Sequence, residues 1–510
     1  MVQLPEDFVR TTRLLMGEDR FNRFLGAFDE EAPVSIRVNR RKVKGENFFS
    51  RKEEGGKRKE NTPTAELSPV LSSESTPESA SESVSKSASK HISFLFPPSS
   101  FLEKSLPPSP SPIPRQQVPW CPEGYYLSGR PQFTFDPLFH AGCYYVQEAA
   151  SMFVTHIINW WKVERGKRKE NTPATELALE SNLFPLSTFH FPPISALDLC
   201  AAPGGKSTAM RTVLPEGSLL VSNEPIPTRA QILLENITKW GWPDCIVTNN
   251  YPRDFRKAKS HFDIILCDVP CSGEGMFRKD PATISEWSQQ NVEKCWRLQR
   301  EIVADAWECL NPGGLLIYST CTFNTKENEE NVRWIIDTYD AEPIMIPTEP
   351  EWNITGSLLE GFDVPVYRFI PGITRSEGLF ICALVKRGVR SVECGVRNVL
   401  RQNQHLKVIS LLNPHSTLHE TKVDLPYQDA LRYLRGEALI LPPDTPRGIV
   451  TVTYKGVPLG PVKNIGNRAN NLYPKPWRIK TTHLPSTPVE IICTLATEKT
   501  QEPENVNRKP

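Results

Sequence analysis

The sequence predicts an α/β fold built on a mostly parallel sheet, and three observations carry that expectation. Between residues 196 and 386, short apolar runs alternate with longer stretches of helical periodicity. That alternation implies parallel strands joined by crossover helices on both faces. The first run ends in a small-residue turn, "DLCAAPGGKS", where two glycines let the backbone approach a ligand before the next helix begins. Finally, Cys200 to Lys206, Glu224, Asp268, Cys271 and Cys321 all fall just past predicted strand ends. In open α/β sheets, ligands bind beyond those carboxyl ends.

The strand candidates, in order, are "ALDLC", "SLLVSNE", "CIVTN", "DIILCD", "GLLIYST" and "GLFICALVK". Each is an apolar run of strand length, as expected for a sheet buried on both faces. "IPTRAQILLENITKWG" and "SEWSQQNVEKCWRLQREIVADAWECL" carry helical patterns between them. The second runs into "NPGG", a helix stop signal.

Outside this centre the composition shifts. Residues 45–118 are rich in Ser, Pro, Glu and Lys, and a shorter stretch of the same kind spans 165–192. Such mixtures bury too little apolar surface to offset the entropy of ordering, so both are expected to be disordered insertions. They share a string: "GKRKENTPTAEL" begins at Gly56 and "GKRKENTPATEL" at Gly166. Two copies are too few for a solenoid, and a duplicated surface-loop insertion is the simplest reading; a basic RNA tether is the alternative. The tail, 486–510, is expected to be unstructured. The domain expectation is therefore an N-terminal region 1–145, a core 146–388, a compact C-terminal domain 389–485 and the tail.

The N-terminus mixes acidic with apolar residues and lacks the basic-then-apolar order of a signal peptide. No stretch approaches the length of a membrane span. A cytoplasmic protein is expected, with no membrane partner. The twelve cysteines show no zinc spacing, so no metal is expected and most should be reduced core residues, Cys267, Cys295 and Cys309 among them. Only Cys271 and Cys321 sit in loops after predicted strands. The net charge of +1 gives no global field, so nucleic-acid binding would need local basic patches. Two exist. Residues 447–480 hold seven Lys or Arg and no acid, interleaved with Tyr454, Tyr473 and Trp477. "SIRVNRRK" at 35–42 is the other. Basic charge attracts phosphate and aromatic faces stack on unpaired bases; a plain basic surface is the blander reading.

The first turn is neither a dinucleotide fingerprint nor a phosphate-binding P-loop: Lys206 and Ser207 follow Gly205, but Cys200 stands where the P-loop needs its earlier glycine. Glu224 ends the second strand, where a carboxylate can accept both hydroxyls of a ribose or simply face solvent. Spacing alone leaves open whether Cys271 in "DVPCSGEGMF" is a nucleophile, an accessory or a buried thiol.

"DLCAAPGGKS", "DVPCSGEGMFRKDP" and "YSTCTFNTKENEENV", with the upstream "FDPLFHAGCYYVQEAASM", resemble the Nop/Sun family of RNA cytosine-5 methyltransferases. "VTYKGVPLGPVKNIGNRANNLYPKPWRI" is similar to the terminal domain of that family's bacterial small-subunit rRNA branch. The resemblance implies a Rossmann-like, S-adenosylmethionine-dependent core flanked by a small N-terminal α/β domain and a β-rich C-terminal domain, both RNA-binding. Cys200, Ala201, Ala202, Pro203, Gly204, Gly205 and Lys206 would line the methionine and ribose side, Glu224 would hold the ribose, and Asp268 would sit near cofactor and base. Relatives carry an aspartate near adenine where this chain has Tyr251; Tyr251 or Asn250 would replace it.

Carbon 5 of cytosine is a poor nucleophile, and a thiolate adding at carbon 6 activates it. By the family's rule Cys321 attacks and Cys271 serves product release, while Asp268 hydrogen-bonds the base. Arg278 and Lys279 would contact phosphate or form a solvated pair, and Glu327, Glu329 and Glu330 would favour the start of the next helix. The implied product is 5-methylcytosine in RNA, small-subunit rRNA before tRNA, made by a monomer. The rivals are an RNA-binding assembly factor with weak catalysis, and a DNA methyltransferase that would need Cys271 as its sole essential thiol.

Overall fold

The computed structural model describes residues 3–43, 115–170, 191–388, 406–410, 420–481, 483–489 and 491–492. Its centre is a sheet of nine strands. We label its six main strands β1 (Ser195–Asp198), β2 (Leu219–Asn223), β3 (Cys245–Thr248), β4 (Phe262–Asp268), β5 (Leu310–Thr320) and β6 (Leu379–Lys386). The helices that flank them are α1 (Gly205–Val213), α2 (Pro227–Trp240), α3 (Gln289–Glu308) and α4 (Glu329–Tyr339). The spatial order is β6-β5-β4-β1-β2-β3, with β1 to β5 parallel and β6 antiparallel to β5. All six strands fall where the apolar runs placed them.

Those runs read as continuous because both faces are covered. On β4, Ile264 and Leu266 join one core and Ile265 and Cys267 the other. On β5, Leu315 and Ile317 alternate in the same way with Leu316 and Tyr318. Cys267, Cys295 and Cys309 are buried, as expected. The long helical pattern before "NPGG" is broken in two. Ala282–Glu286 is a separate short helix, and Ser288 then caps α3 by accepting from Asn291 N. The helix ends at Glu308, and "NPGG" itself forms the entrance of β5.

The edges of the insertions and domains need correction. Arg115–Gln117 is an edge strand paired with Gly124–Leu127, so ordered chain resumes before 118. The helix Phe153–Glu170 runs past 165 into the second tag, and residues 191 and 192 are also described. The first tag and the rest of the second lie outside the described residues. Tyr144–Val146 belongs to the N-terminal sheet, and Val408–Ser410 adds antiparallel to β3, beyond the expected end of the core. In the tail, Ile491 and Ile492 are buried in a core, while 493–510 lies outside the described residues. Composition misses such short pieces because two or three apolar residues suffice once a groove awaits them.

The N-terminal sheet and the C-terminal domain share one core: Ile36, Val38, Leu138 and Tyr144 pack with Leu431, Leu434, Val452 and Val462. Tyr427 Oη donates to Phe135 O at 2.9 Å across this junction. Among the described residues, no helix is long and apolar enough to cross a membrane, and no group of His, Cys, Asp or Glu is arranged to hold a metal ion.

Candidate active site

The parallel pairing of β1, β2, β4 and β5 delivers their following loops to one edge of the sheet. The turn after β1 is fixed by buried bonds. Ser207 Oγ donates to Asp198 Oδ2 at 2.6 Å, and Ala201 N donates to Asn223 O at 2.8 Å. Burial pushes the Asp198 carboxyl up to about 7. Cys200, Ala201 and Ala202 are buried, and burial holds the Cys200 thiol well above its ordinary range, so it is inert. Gly204 adopts φ 116°, and a Cβ there would lie 3.2 Å from Leu233 Cδ1; it turns the chain into α1 where any other residue would be strained. The upstream motif braces this turn: Tyr145 Oη donates to Pro203 O at 3.3 Å.

Lys206 Nζ donates to Asp268 Oδ2 at 2.9 Å, and Ser319 Oγ donates to Asp268 Oδ1 at 2.7 Å. Asp268 therefore links the β1 turn to the end of β5. Burial alone would lower the Lys206 pKa, but the Asp268 charge and hydrogen bond outweigh it and raise it. Glu224 is 1% exposed, accepts from Ile226 N at 3.0 Å and lies 3.6 Å from Arg229 Nη1. Its Oε2 has no hydrogen-bond partner, and neither has Asp198 Oδ1. Burial raises the Glu224 pKa.

Cys271 and Cys321 are brought together, their sulfurs 3.1 Å apart and both partly accessible. The hydrogen bond to Cys321, and then burial, push the Cys271 thiol well above its ordinary range. The loops interlock through backbone: Gly275 N donates to Cys321 O at 2.6 Å. A Cβ on Gly275 would lie 2.4 Å from that oxygen, so only glycine fits.

The acids around the pair do more than the sequence suggested. Glu327 is not merely a helix-start charge. It is fully buried and accepts from Ser272 N at 3.0 Å, Gln299 Nε2 at 2.7 Å and Asn324 Nδ2 at 2.9 Å. Burial, then neighbouring Glu274, push it up to about 7. Glu329 is buried against Arg368. Glu274, not among the residues singled out above, is 2% exposed and bonded to both thiol loops. Its place between two glycines, in a loop too tight to let it out, was the available clue.

Several expected RNA contacts fail by burial. Arg278 forms an ion pair with Glu377 at 3.1 Å, with both side chains buried, so it is no phosphate ligand; Lys279 beside it is exposed. In "SIRVNRRK", Arg37 is fully buried, donates to Gln147 Oε1 at 2.9 Å and covers the Trp240 ring, while Lys42 donates to the Ala141 and Lys239 carbonyls. Burial lowers Arg37 to about 10 and Lys42 to about 8. Tyr454 and Tyr473 are core residues, and Trp477 packs half-buried against the same core. Arg447, Lys463, Arg468, Lys475 and Lys480 remain exposed. At the end of β3, the Asn250 side chain is tied to the backbone of Lys407. Tyr251 is 56% exposed with Arg253 over its ring, so it is the freer of the two proposed stand-ins.

Comparison with known proteins places relatives along most of the chain. Residues 194–385 match the family model for 16S rRNA methyltransferase RsmB/F. Residues 420–479 match that for the methyltransferase RsmF PUA domain, and 100–149 that for the N-terminal domain of 16S rRNA methyltransferase RsmF. A ribosomal RNA small subunit methyltransferase F from Pectobacterium atrosepticum is 33% identical over 54% of this chain and 51% of its own length. The chain thus spans about half the length of that relative. One from an Enterobacter species is 28% identical over 70% of this chain and 83% of its own. A crystal structure of the protein PH0851 superposes with a TM-score of 0.51 at 18% identity, covering 75% of this chain and 66% of that one, a likeness of fold.

Proposed function

We propose that the chain acts as a methyltransferase of the RsmB/F kind, transferring a methyl group from S-adenosylmethionine to carbon 5 of cytosine in RNA, with small-subunit rRNA as the substrate class. The observation that carries the reading is the thiol pair at 3.1 Å on the loops after two adjacent parallel strands. A structural cysteine pair has no need of an edge where a lysine-bound aspartate also points.

The cofactor side fits the group. Glu224 Oε2 and Asp198 Oδ1 are buried acceptors without hydrogen-bond partners beside the glycine turn. Glu224 would hold the ribose hydroxyls and Cys200 to Lys206 the methionine side. S-adenosylmethionine, when bound, supplies an electrophilic methyl group. The chain's own residues do the rest. The Cys321 sulfur, as thiolate, bonds carbon 6 of cytosine, and the displaced electron pair makes carbon 5 an enamine nucleophile. The Cys271 and Cys321 sulfurs share a hydrogen bond in which either can donate, so a Cys271 thiol is placed to donate to Cys321 when Cys321 attacks. Asp268 is held by Lys206 and Ser319 but retains lone pairs with which to bond the base as it gains charge. After methylation a base (water or Cys271 as thiolate) takes the proton from carbon 5, the freed electron pair re-forms the carbon 5–carbon 6 double bond, the sulfur–carbon 6 bond breaks and Cys321 departs as thiolate. The base must lie outside a helix to reach this edge.

The test is incubation of the purified protein with methyl-labelled S-adenosylmethionine and separate pools of rRNA, small subunits and tRNA, followed by mapping of modified bases. Label at carbon 5 of cytosine in rRNA is expected. Label only in tRNA would change the substrate class, and binding without transfer to any pool would favour an assembly factor over an enzyme.

A further inference from the structure

We propose that Glu274 is a positioning residue that sets the spacing of the Cys271–Cys321 pair; the idea rests on the reading of that pair given above. Glu274 stands in the loop that leaves β4, and its carboxylate reaches both thiol loops at once. Oε2 accepts from Phe323 N at 2.6 Å and Asn324 N at 3.1 Å, two and three residues after Cys321. Oε1 accepts from Ser272 Oγ at 3.3 Å, directly after Cys271. The same oxygen accepts from Asn324 Nδ2 and Trp287 Nε1, each at 3.0 Å.

All five partners donate, so the position requires a group that only accepts. A carboxylate offers about four lone-pair sites and no proton, whereas a glutamine amide would turn two donors toward donors. Two of the five are backbone N–H groups of the segment that carries Cys321, so the carboxylate fixes backbone rather than a mobile side chain. Glu327 holds Ser272 N and Asn324 Nδ2, but it bonds no backbone N–H on the Cys321 side of the pair. The Trp287 bond extends the clasp further: that indole packs edge-on against Phe8 at 5.6 Å, which ties the N-terminal helix Glu6–Met16 to the same point.

Sulfur spacing can be read chemically without RNA or cofactor. The azo oxidant diamide converts two neighbouring thiols into one disulfide: each sulfur loses a hydrogen, a sulfur–sulfur bond forms, and the azo group takes both hydrogens to become a hydrazine. Closure needs the sulfurs to come within bonding distance, so its rate measures how often the loops hold them together. The experiment treats the full chain and its Glu274→Gln and Glu274→Asp variants with diamide, and follows the Cys271–Cys321 peptide by mass spectrometry.

Glu274→Gln is expected to close the pair roughly tenfold more slowly, the scale of losing one hydrogen bond to a charged group. Glu274→Asp, which keeps the charge but shortens the reach, should fall between. Alkylation of each thiol singly should change little. In transfer assays, kcat should drop while the KM for S-adenosylmethionine holds, because Glu224 and the glycine turn are untouched. If Glu274→Gln does not fold, Glu274→Asp alone decides. Closure at the wild-type rate in a folded variant would overturn the proposal. A wild-type protein that closes the pair readily yet methylates no RNA would count against the methyltransferase reading and leave the role of Glu274 in spacing the thiols intact.

Discussion

At the carboxyl ends of β4 and β5, Cys271 and Cys321 stay partly open in loops that backbone geometry forces together. In the C-terminal domain, Tyr454 and Tyr473 stand among basic residues in sequence, yet they are closed into the core at 5% and 4% exposure. The first region is set by what the backbone must do: parallel strands deliver their following loops to one edge, and Gly275 lets two of them touch. The second is set by which way amphipathic side chains turn, and a tyrosine or an arginine has an apolar body that can be buried as readily as its polar tip can be solvated.

This contrast can be broken first by trading stability against chemistry. Tyr473→Ala removes a buried ring and should cost about 3–5 kcal/mol in urea unfolding. Cys321→Ser removes a partly open thiol and should cost under about 1 kcal/mol while abolishing transfer. Equal stability losses in the two variants would erase the distinction. Tyr473→Phe sharpens it: the Tyr473 hydroxyl is buried with no hydrogen-bond partner, so its removal should be neutral or stabilising by the same measurement. A clear loss would place that hydroxyl in a bond to RNA or water.

A smaller effect separates the site's buried acids from solvent-facing ones. Burial raises Asp198 to about 7, so the folded state holds an extra proton over the window between its ordinary carboxylate value and that pH. The favourable contribution is then complete at low pH and is lost as pH rises through about 7. Glu327 acts in the same direction. Asp198→Asn should flatten the decline in unfolding free energy between about pH 4 and pH 7; an unchanged slope would mean that Asp198 is not the group titrating there.

The smallest effect belongs to the truly exposed cations. Lys463→Gln should shift stability by no more than about 0.5 kcal/mol. If the C-terminal domain touches phosphate, the same change should reduce the slope of log affinity against log salt by about 1. Arg278→Gln would instead strand Glu377, so a stability loss, not a salt effect, is its expected mark.

What was legible follows the same line. The six main strands and the meeting of Cys200 to Lys206, Glu224, Asp268, Cys271 and Cys321 at one edge could be read ahead, because each rests on strand order and a glycine turn. Arg37, Lys42, Arg278, Tyr454 and Tyr473 were misplaced, because their burial depends on partners far away in sequence: Arg37 needs Gln147 and Trp240, and Arg278 needs Glu377. Glu274 escaped notice, and Glu327 was read only as a helix-start charge, for a related reason. A carboxylate surrounded by donors looks, along the chain, like any charged loop residue.

The account's central claim is the division of labour between the two thiols. It is tested most directly by incubating Cys271→Ala and Cys321→Ala separately with S-adenosylmethionine and end-labelled rRNA, then denaturing and resolving the mixture. Cys271→Ala is predicted to retain RNA as a denaturation-resistant adduct, and Cys321→Ala to form none and transfer nothing. Full turnover by Cys321→Ala, or an adduct formed by it and not by Cys271→Ala, would contradict the account.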